Sequence, residues 1–254
     1  MAFNQSEGFK HALCMELQND KFRFSIVDIK TKKSVIEKSF TLLSFNKEEL
    51  NKILDDQLFK LDYNSISLTV SSNRHTLVPV SIFNTSKPKD IFALNHQAPF
   101  ENVDYNRISE LGIVTIFELP IWIKSVFVIK MPRIKIIHTS TVLIKAIFKT
   151  PVFKPKVHVF WQENAFYLMI TSKGKLDYFN LFQGNEIPDL VYHLLFVLEQ
   201  KELTLKDMAL HFYGVKSDWN QLEKISKLIN HKIEVASTKE NAENFILTNQ
   251  LLCV

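Results

Sequence analysis

Glycine is scarce in this sequence: 254 residues contain 5 glycines, where average usage would give about 18. The five are spread along the chain, and no two are close neighbours. Loops that cradle phosphate groups depend on closely spaced glycines, because only a residue without a Cβ lets backbone N–H groups approach a phosphate closely. The scarcity therefore excludes the nucleotide-binding loops whose motifs pair glycines.

Cysteine and long apolar runs are scarce as well. The two cysteines, Cys14 and Cys253, stand near opposite ends of the sequence, which indicates neither a disulfide framework nor a metal site. The first residues show no secretion signal. Charged residues and prolines interrupt the most apolar stretch, 113–144, well before the ~20 apolar residues of a spanning helix. We therefore expect a cytoplasmic protein that does not insert into a membrane.

The eight histidines are scattered without zinc-ligand spacing, so no metal is expected. Because the glycines of phosphate-binding loops are missing, no other cofactor is expected either. Two of the histidines have neighbours of interest. His138 stands at a predicted helix start beside Thr139 and Ser140, which suits an anion site or, as the preferred interpretation, an ordinary helix cap. His193 lies one helical turn after Asp189, a spacing that predicts a solvated pair rather than a catalytic one.

Alternating apolar and polar residues organise the first half of the chain. With 46% hydrophobic and 23% charged residues, the composition is that of a folded globular protein. Apolar or alternating segments separated by polar turns predict three consecutive strands at 13–17, 22–26 and 35–42. A helix is predicted next, with Asn46 as its N-cap and Glu49 completing a capping box.

Further helices are predicted later in the chain. A short helical stretch is expected over 76–83, Pro120 opens a helix that Pro132 ends, and Asp218 is the expected N-cap of another helix.

The second half repeats this order of elements. Residues 17–26 read LQNDKFRFSI and residues 161–170 read WQENAFYLMI. Both place an apolar residue and Gln before a polar turn, and aromatic and aliphatic residues follow in alternation. Because similar elements follow each hairpin, each half is predicted to be β-β-β-α-β-α-β. Prolines between 151 and 156 mark the predicted boundary between two lobes, 1–152 and 153–254.

This order predicts an α/β protein with two ribonuclease H-like lobes, the architecture of actin-like ATPases. Three segments carry a resemblance to a known family: HTLVPVSIF (75–83), IIHTSTVLI (136–144) and FYLMITSKGKLDYFNLFQ (166–183). In these segments the chain resembles an uncharacterised bacterial family of domains of unknown function that is similar in fold to actin-like ATPases. The resemblance extends over nearly the whole chain and implies the fold, but it brings no activity.

The residues that the usual chemistry of this fold requires are missing from this sequence. Actin-like ATPases wrap phosphate with the first hairpin of each lobe, usually with nearby glycines. The corresponding hairpins read MELQNDKF (15–22) and VFWQENAF (159–166), without glycine. A nuclease would need several carboxylates to hold two metal ions. The first half offers Glu16 and Glu48 or Glu49, but its fourth strand ends without an acid. We therefore expect a non-catalytic protein.

Acidic residues are absent between positions 119 and 162. The net charge of this stretch is +8, against +4 for the whole chain, so the remainder sums to −4. On one shared face, such charges would attract an acidic protein, a nucleic acid or an anionic membrane surface. Only four of the 31 basic residues are Arg, the residue preferred for bidentate phosphate contacts, which disfavours nucleic acid. The candidate residues for an anionic partner are Lys124, Lys130, Arg133, Lys135, Lys145, Lys149, Lys154 and Lys156.

The leading hypothesis is a cytoplasmic scaffold or protein-interaction module. Its protein partner would bind where any of the 21 phenylalanines stay exposed. The alternative is an atypical nucleotide-binding protein or ATPase that uses the cleft between the lobes, a hypothesis that rests on analogy of fold. A further alternative is a weak nucleic-acid binder that uses the basic 119–162 stretch.

Overall fold

The predicted first meander forms one side of a five-stranded sheet in the computed structural model of the chain. The strands are β1 (His11–Gln18), β2 (Lys21–Asp28), β3 (Ser34–Thr41), β4 (Ser65–Val70) and β8 (Lys135–His138). Their order across the sheet is β3-β2-β1-β4-β8. β1 runs antiparallel to β2 and parallel to β4, and β8 continues the parallel half.

The structure describes residues 9–18, 20–150, 153–162, 164–214, 219–235 and 244–254. The chain divides into two compact units, a first unit of residues 1–147 with 246–254 and a second unit of residues 148–245. The lobe boundary proposed between residues 152 and 153 stays a prediction, and residues 151 and 152 lie outside the described ranges.

Alternation along β1 places its side chains on two different faces of the first sheet. Leu13, Met15 and Leu17 belong to the main core, together with buried residues of α1 (Lys47–Leu54) and α3 (Ile121–Lys130). Burying the apolar side chain of one such residue contributes about 1.5–3 kcal/mol in transfer free energy. The amphipathic pattern of the sequence therefore determines which side of the sheet the helices cover.

The second face of this sheet is covered by the last described residues of the chain. Ala12 and Cys14 pack against Leu247, which lies in α7 (Phe245–Asn249). Gln250 follows this helix and is fully buried. Its amide accepts a hydrogen bond from the Ser67 hydroxyl at 2.6 Å and donates to the Met15 carbonyl at 2.8 Å.

A three-stranded sheet is inserted between β4 and α3. It consists of β5 (His75–Pro79), β6 (Val103–Ile108) and β7 (Ile113–Glu118) in the order β5-β7-β6, with α2 (Pro88–Ala93) packed on it. The prediction of a helical stretch over 76–83 is wrong for most of its length. Residues up to Pro79 belong to strand β5, and only Val80–Ile82 form a single 3-10 turn. β5 pairs with β7, which lies far away in the sequence, and local propensity does not report such a pairing.

The second unit repeats the first sheet. Its elements are β9 (Lys156–Trp161), β10 (Ala165–Ser172), β11 (Lys175–Gln183), α5 (Ile187–Gln200), β12 (Ala209–Tyr213), α6 (Trp219–Ile229) and β13 (Ile233–Val235). The strand order is β11-β10-β9-β12-β13, with the same directions as in the first sheet. The predicted β-β-β-α-β-α-β order is therefore present without interruption in the second unit, whereas in the first unit the inserted sheet separates β4 from α3.

Helix caps follow the sequence in part. The Asn46 side chain accepts a hydrogen bond from the Glu49 N–H at 3.0 Å, as predicted. The Glu49 carboxylate, however, accepts from the N–H groups of Leu43 and Ser44 at 2.8 and 2.6 Å, so it anchors the preceding loop instead of closing the capping box. Asp218, the predicted cap of α6, lies outside the described residues. α4 (Thr139–Phe148) starts directly after β8.

Candidate functional site

A pocket of about 500 Å³ opens at the carboxyl ends of β1 and β4. In open α/β sheets, ligands bind in crevices outside the carboxyl ends of the strands, so this position is the one where the fold favours a site. We call it the carboxyl-edge pocket. Its apolar walls are formed by Leu17, Phe45, Val70, Leu119, Pro120 and Ile123.

The charged groups of the carboxyl-edge pocket are used inside the protein. Arg74 Nη1 lies 3.0 Å from Glu118 Oε2 and donates to the Pro99 carbonyl at 2.9 Å. Its Nη2 donates to the Gln97 carbonyl, and its guanidinium lies 5.7 Å from the centre of the Phe100 ring. A guanidinium with these partners stiffens the pocket wall and has little capacity left for a phosphate.

The loop after β4 is likewise tied down by internal hydrogen bonds. Ser71 Oγ lies 2.7 Å from Thr139 Oγ1, and Ser72 Oγ donates to the Arg74 carbonyl at 3.1 Å. The Ser72 carbonyl lies 3.0 Å from His138 Nε2 and 3.1 Å from His75 Nδ1. The buried imidazole of His138 and the half-buried imidazole of His75 therefore converge on one carbonyl oxygen and fix the course of this loop.

His138 serves as a structural residue in this arrangement. It is fully buried, and burial holds its pKa well below the usual value, so the ring is neutral. Its Nδ1 accepts from the Ser140 N–H at 3.2 Å and lies 2.7 Å from Ser140 Oγ. Its Nε2 lies 3.0 Å from the Ser72 carbonyl and accepts from the Ser72 N–H at 3.2 Å, so both ring nitrogens are used inside the fold. The preferred interpretation, a capping role at the start of α4, agrees with this geometry.

In the second unit, the backbone at the end of β9 and the glycine that follows β12 approach each other closely. Trp161, at the end of β9, is 1% exposed and belongs to the core. Gly214 follows β12 with φ +96°, and a Cβ there would lie 2.4 Å from the Trp161 carbonyl oxygen. This glycine serves a close approach of two backbone segments within the protein, which leaves no room for a phosphate at that point.

A second cluster around a buried histidine lies on β9 and β12, in the sheet of the second unit. His158 on β9 pairs in register with His211 on β12, and their ring centres are 5.6 Å apart. His158 Nδ1 lies 3.0 Å from the Tyr213 hydroxyl, and Nε2 lies 2.9 Å from Thr171 Oγ1. Burial lowers the pKa of His158 to about 3, so it is neutral at physiological pH. His211 Nε2 lies 3.2 Å from Glu234 Oε2 at the sheet edge.

The predicted pair of His193 with Asp189 is absent from the described part of the chain. His193 stacks on Phe182, with ring centres 4.2 Å apart. Asp189 instead takes part in a capping box with Glu186 at the start of α5. Asp189 and His193 do lie one turn apart on α5. The Phe182 ring on β11, however, gives the His193 imidazole a more favourable contact than a solvated carboxylate does.

Three of the predicted basic residues each meet a carboxylate in the first unit. Lys124 pairs with Asp104 at 2.7 Å, and Lys130 pairs with Asp55 at 2.6 Å. Arg133 lies 2.6 Å from Asp62 in an exposed pair. These carboxylates lie outside the 119–162 stretch and reduce the local positive charge that the sequence suggested.

Two other predicted basic residues line one pocket. Lys135 on β8 and Lys145 on α4 border a cavity of about 400 Å³ together with Arg107 on β6. We call it the basic pocket. Lys149 and Lys154 are exposed residues of the second unit, where Lys156 begins β9. That the eight residues bind an anionic partner stays a prediction.

Glu16, the acid considered for metal chemistry, lies on the second face of the first sheet. It is 1% exposed, and its Oε2 lies 2.5 Å from Arg23 Nη2. Burial raises the pKa of this carboxyl, while Arg23 opposes that shift. Among the residues that the structure describes, no group of three His, Cys, Asp or Glu side chains is placed to hold a metal ion.

Sequence reasoning missed Arg74, Glu118 and Arg107, which belong to or border the inserted sheet. A signal for them existed, because two of the four arginines of the chain lie in this region, whereas lysine dominates elsewhere. Arginine is typical of sites that need a fixed planar cation.

Exposed apolar residues are present in both units. Four phenylalanines among the described residues are substantially exposed: Phe9, Phe45, Phe153 and Phe196. Phe45 lines the carboxyl-edge pocket and packs edge-on against Trp122, with ring centres 5.2 Å apart. As for membranes, none of the helices within the described ranges has the length and apolar character needed to cross a bilayer.

Comparison with solved structures confirms the predicted fold. A Bacteroides thetaiotaomicron protein, described as having an actin-like ATPase fold and unknown function, matches with a TM-score of 0.86 and 22% identity over 100% of both chains. The PilM–PilN type IV pilus biogenesis complex matches with a TM-score of 0.60 and 10% identity, over 95% of this chain and 97% of the other. The chain therefore has the actin-like ATPase fold.

A third similar structure is the cytoplasmic domain of EpsL, an inner-membrane component of the type II secretion system of Vibrio cholerae. It matches with a TM-score of 0.54 and 9% identity over 95% of this chain and 93% of that domain. No curated protein matches the chain. A family model matches residues 2–231, which agrees with the resemblance found in the sequence. The chain belongs to the family described as "Protein of unknown function (DUF3822)".

Proposed function

We propose that this protein is a cytoplasmic interaction module that binds a segment of a partner protein in the carboxyl-edge pocket. The observation that carries the proposal is the chemistry of that pocket. Its walls are largely apolar, and Phe45 at its border is 46% exposed. Its arginine, by contrast, is held by Glu118 and two backbone carbonyls. An apolar side chain gains from such a pocket, whereas a phosphate gains little.

The occupant we propose is an extended peptide segment that inserts one large apolar side chain. Burying such a side chain contributes about 1.5–3 kcal/mol in transfer free energy. The exposed Asn73 on the rim offers an amide for one hydrogen bond to the peptide backbone. A pocket with an apolar centre and polar rim is typical of protein interfaces.

The similar structures add support of another kind. One is part of a pilus biogenesis complex, and another is a cytoplasmic domain of a secretion-system component. Members of this fold thus occur as components of larger assemblies. Both hairpins that would wrap phosphate lack glycine here, and Gly214 is occupied by the Trp161 backbone. These features favour assembly over nucleotide hydrolysis.

Selection of peptides on the full-length protein tests the proposal. Peptides from a random phage-displayed library are selected on immobilised protein, and their affinities are measured in solution by fluorescence anisotropy. Selected peptides are expected to share a large apolar residue and to lose at least about tenfold in affinity on Phe45→Glu. The matched control is Leu94→Glu, because Leu94 is 82% exposed and lies outside the pocket.

Binding that is equal in wild type and Phe45→Glu would contradict the proposal. Calorimetry with ATP, ADP and magnesium examines the nucleotide alternative in parallel. Nucleotide binding that disappears when the hairpin residues Asp20 or Asn164 are replaced would favour the alternative instead.

A further inference from the structure

The basic pocket lies where the inserted sheet meets the first five-stranded sheet. It is formed by β6, β8, the first turns of α4 and Cys253, and its volume is about 400 Å³. Pockets of this size accept small organic ligands. It shares no lining residue with the carboxyl-edge pocket, so the inference that follows is independent of the function proposed above.

Three cations border the basic pocket, and one carboxylate faces them. Lys145 Nζ lies 3.3 Å from Glu110 Oε1 and donates to the Leu252 carbonyl at 3.3 Å. Its side chain is only 19% exposed, so its ammonium group is held at the inner side of the pocket. Lys135 and Arg107 are exposed on the two strands that flank it. The positive charge of the group therefore exceeds the negative charge by two.

Arg107 is held in place by aromatic rings. Its guanidinium carbon lies 5.1 Å from the centre of the Phe83 ring and 6.0 Å from that of Tyr105. Stacking on ring faces orients a guanidinium and leaves its N–H groups available to an oxygen acceptor. These two ring contacts therefore fix the position of the Arg107 guanidinium and leave its positive charge intact.

The neutral polar groups of the pocket are used by the fold. The Asn106 amide donates to the Ile136 carbonyl at 3.0 Å and accepts from the His138 N–H at 2.7 Å. Thr141 Oγ1 lies 3.2 Å from Thr115 Oγ1. Burial raises the pKa of the Cys253 thiol to about 11, so it is a neutral wall residue. Recognition in this pocket therefore depends on charge.

We propose that the basic pocket binds a small anionic ligand, one that carries a phosphate or carboxylate group on an apolar body. Arg107, Lys135 and Lys145 hold the anionic group, and the side chains of Tyr105 and Ile136 contact the apolar body. A small ligand fits better than a polynucleotide, because the inner cation, Lys145, lines a cavity of about 400 Å³ and its side chain is only 19% exposed.

Calorimetry on the full-length protein at low ionic strength tests the proposal. The probes are inorganic phosphate, phenyl phosphate and benzoate, which separate the need for a phosphate from the need for a carboxylate and for an apolar body. Phenyl phosphate or benzoate is expected to bind with one-to-one stoichiometry and more tightly than inorganic phosphate. Loss of one cation, in Lys145→Gln or Lys135→Gln, is expected to weaken binding by about tenfold.

Lys149→Gln is the matched control, because it removes the same charge from an exposed residue outside the pocket. Lys145→Gln also removes contacts to Glu110 and to the Leu252 carbonyl, which could disturb folding. Lys135 is an exposed residue, so Lys135→Gln tests the same charge without that effect. Absence of binding for all three probes would overturn the proposal. Equal weakening by Lys149→Gln would do the same. A single-stranded oligonucleotide that binds with steep salt dependence while the small probes fail would show a basic surface instead of a pocket.

Discussion

The two five-stranded sheets have the same strand order, and their first, second and fourth strands pair in the same register. The residues on one face of the two sheets are alike in character, whereas those on the other face differ. On the face that packs into each core, Leu13, Met15 and Leu17 of β1 correspond to Val157, Val159 and Trp161 of β9. Their hairpin partners correspond as well: Leu17 pairs with Phe22, and Trp161 pairs with Phe166. The core face accepts substitution among apolar residues, as close packing requires only volume and shape.

The second faces of the sheets have diverged in chemistry. Glu16 and Arg23 form a buried ion pair in the first unit, where the second unit has Phe160 and Tyr167 at the equivalent register. Cys14 in the first unit corresponds to His158 in the second. In this chain, the two sheets therefore agree in apolar character on the core face and differ in chemistry on the other face.

A second difference is the inserted sheet, which only the first unit contains among the residues described. Both pockets discussed above lie where this insertion meets the five-stranded sheet. Arg74 and Glu118 border the carboxyl-edge pocket, and Tyr105 and Arg107 border the basic pocket. The candidate sites are thus products of the asymmetry between the units and not of the repeat.

Because the core faces of the two sheets are equivalent, truncating equivalent core side chains is expected to lower the free energy of unfolding by equal amounts. Phe22→Ala and Phe166→Ala each remove a ring that is 0% exposed and are expected to lower the free energy of unfolding by about 3–5 kcal/mol. Urea unfolding measures the loss, and hydrogen exchange with mass spectrometry shows which sheet opens. Phe45→Ala, at an exposed ring, is the control and should cost about 1 kcal/mol or less. A large loss in only one unit would break the equivalence.

The divergent face predicts a pH-dependent loss on Arg23→Ala. Without Arg23, the carboxylate of Glu16 is buried without a counter-charge, which is expected to cost about 3 kcal/mol near pH 8. A raised carboxyl pKa means that the folded protein holds a proton that the unfolded chain has released. Stability from that proton is present below the ordinary value of 4.5 and is lost as pH rises. The difference from wild type should therefore shrink toward pH 4.5 in urea unfolding.

Arg133→Ala is the matched control for that experiment, because its pair with Asp62 is about two-thirds exposed on both sides (63% and 65%). It should cost less than about 1 kcal/mol at either pH. A loss on Arg23→Ala that does not change with pH would place the role of Arg23 in packing alone.

The close contact of Gly214 with Trp161 predicts that Gly214→Ala weakens the second unit. Its φ of +96° and the carbonyl oxygen 2.4 Å from the position of a Cβ should together cost about 2–3 kcal/mol. Gly112 also has a positive φ, +64°, but no atom within 4 Å of a Cβ, so Gly112→Ala should cost only about 1 kcal/mol. Thermal unfolding of both variants separates steric clash from backbone strain. Equal losses would show that the Trp161 contact relaxes freely.

Giving the second unit the residue of the first, by His158→Cys, should flatten the pH dependence of stability. A histidine with a lowered pKa stabilises the folded state above its ordinary value of 6.5, and this contribution is lost as pH falls toward about 3. Between pH 6.5 and pH 5, the loss for one histidine is about 2 kcal/mol. His158→Cys loses the hydrogen bonds to Tyr213 and Thr171 and is less stable at pH 7, but its unfolding free energy should fall less on acidification. An unchanged slope would show that His158 is not among the groups that take up protons.

Prediction from the sequence succeeded where structure is local and periodic. Both meanders were found from alternation, and α3 and α4 from a proline and from cap residues. β6 was missed because its segment, VDYNRI, mixes polar and apolar residues and pairs with β7 only in the folded chain. The charge pattern found Lys135 and Lys145, but it could not show that Asp55, Asp62 and Asp104 approach from other parts of the chain to pair with other members of the set.

Asn106 has a consequence for the behaviour of the protein in crowded solution. Strand β8 ends the first sheet, and an open edge invites pairing with a strand of another molecule. The amide of Asn106 takes the place of a partner strand there, since it binds the Ile136 carbonyl and the His138 N–H. Because these two backbone groups of β8 already have a partner, they are not available to a strand of another molecule, which disfavours edge-to-edge association at this point.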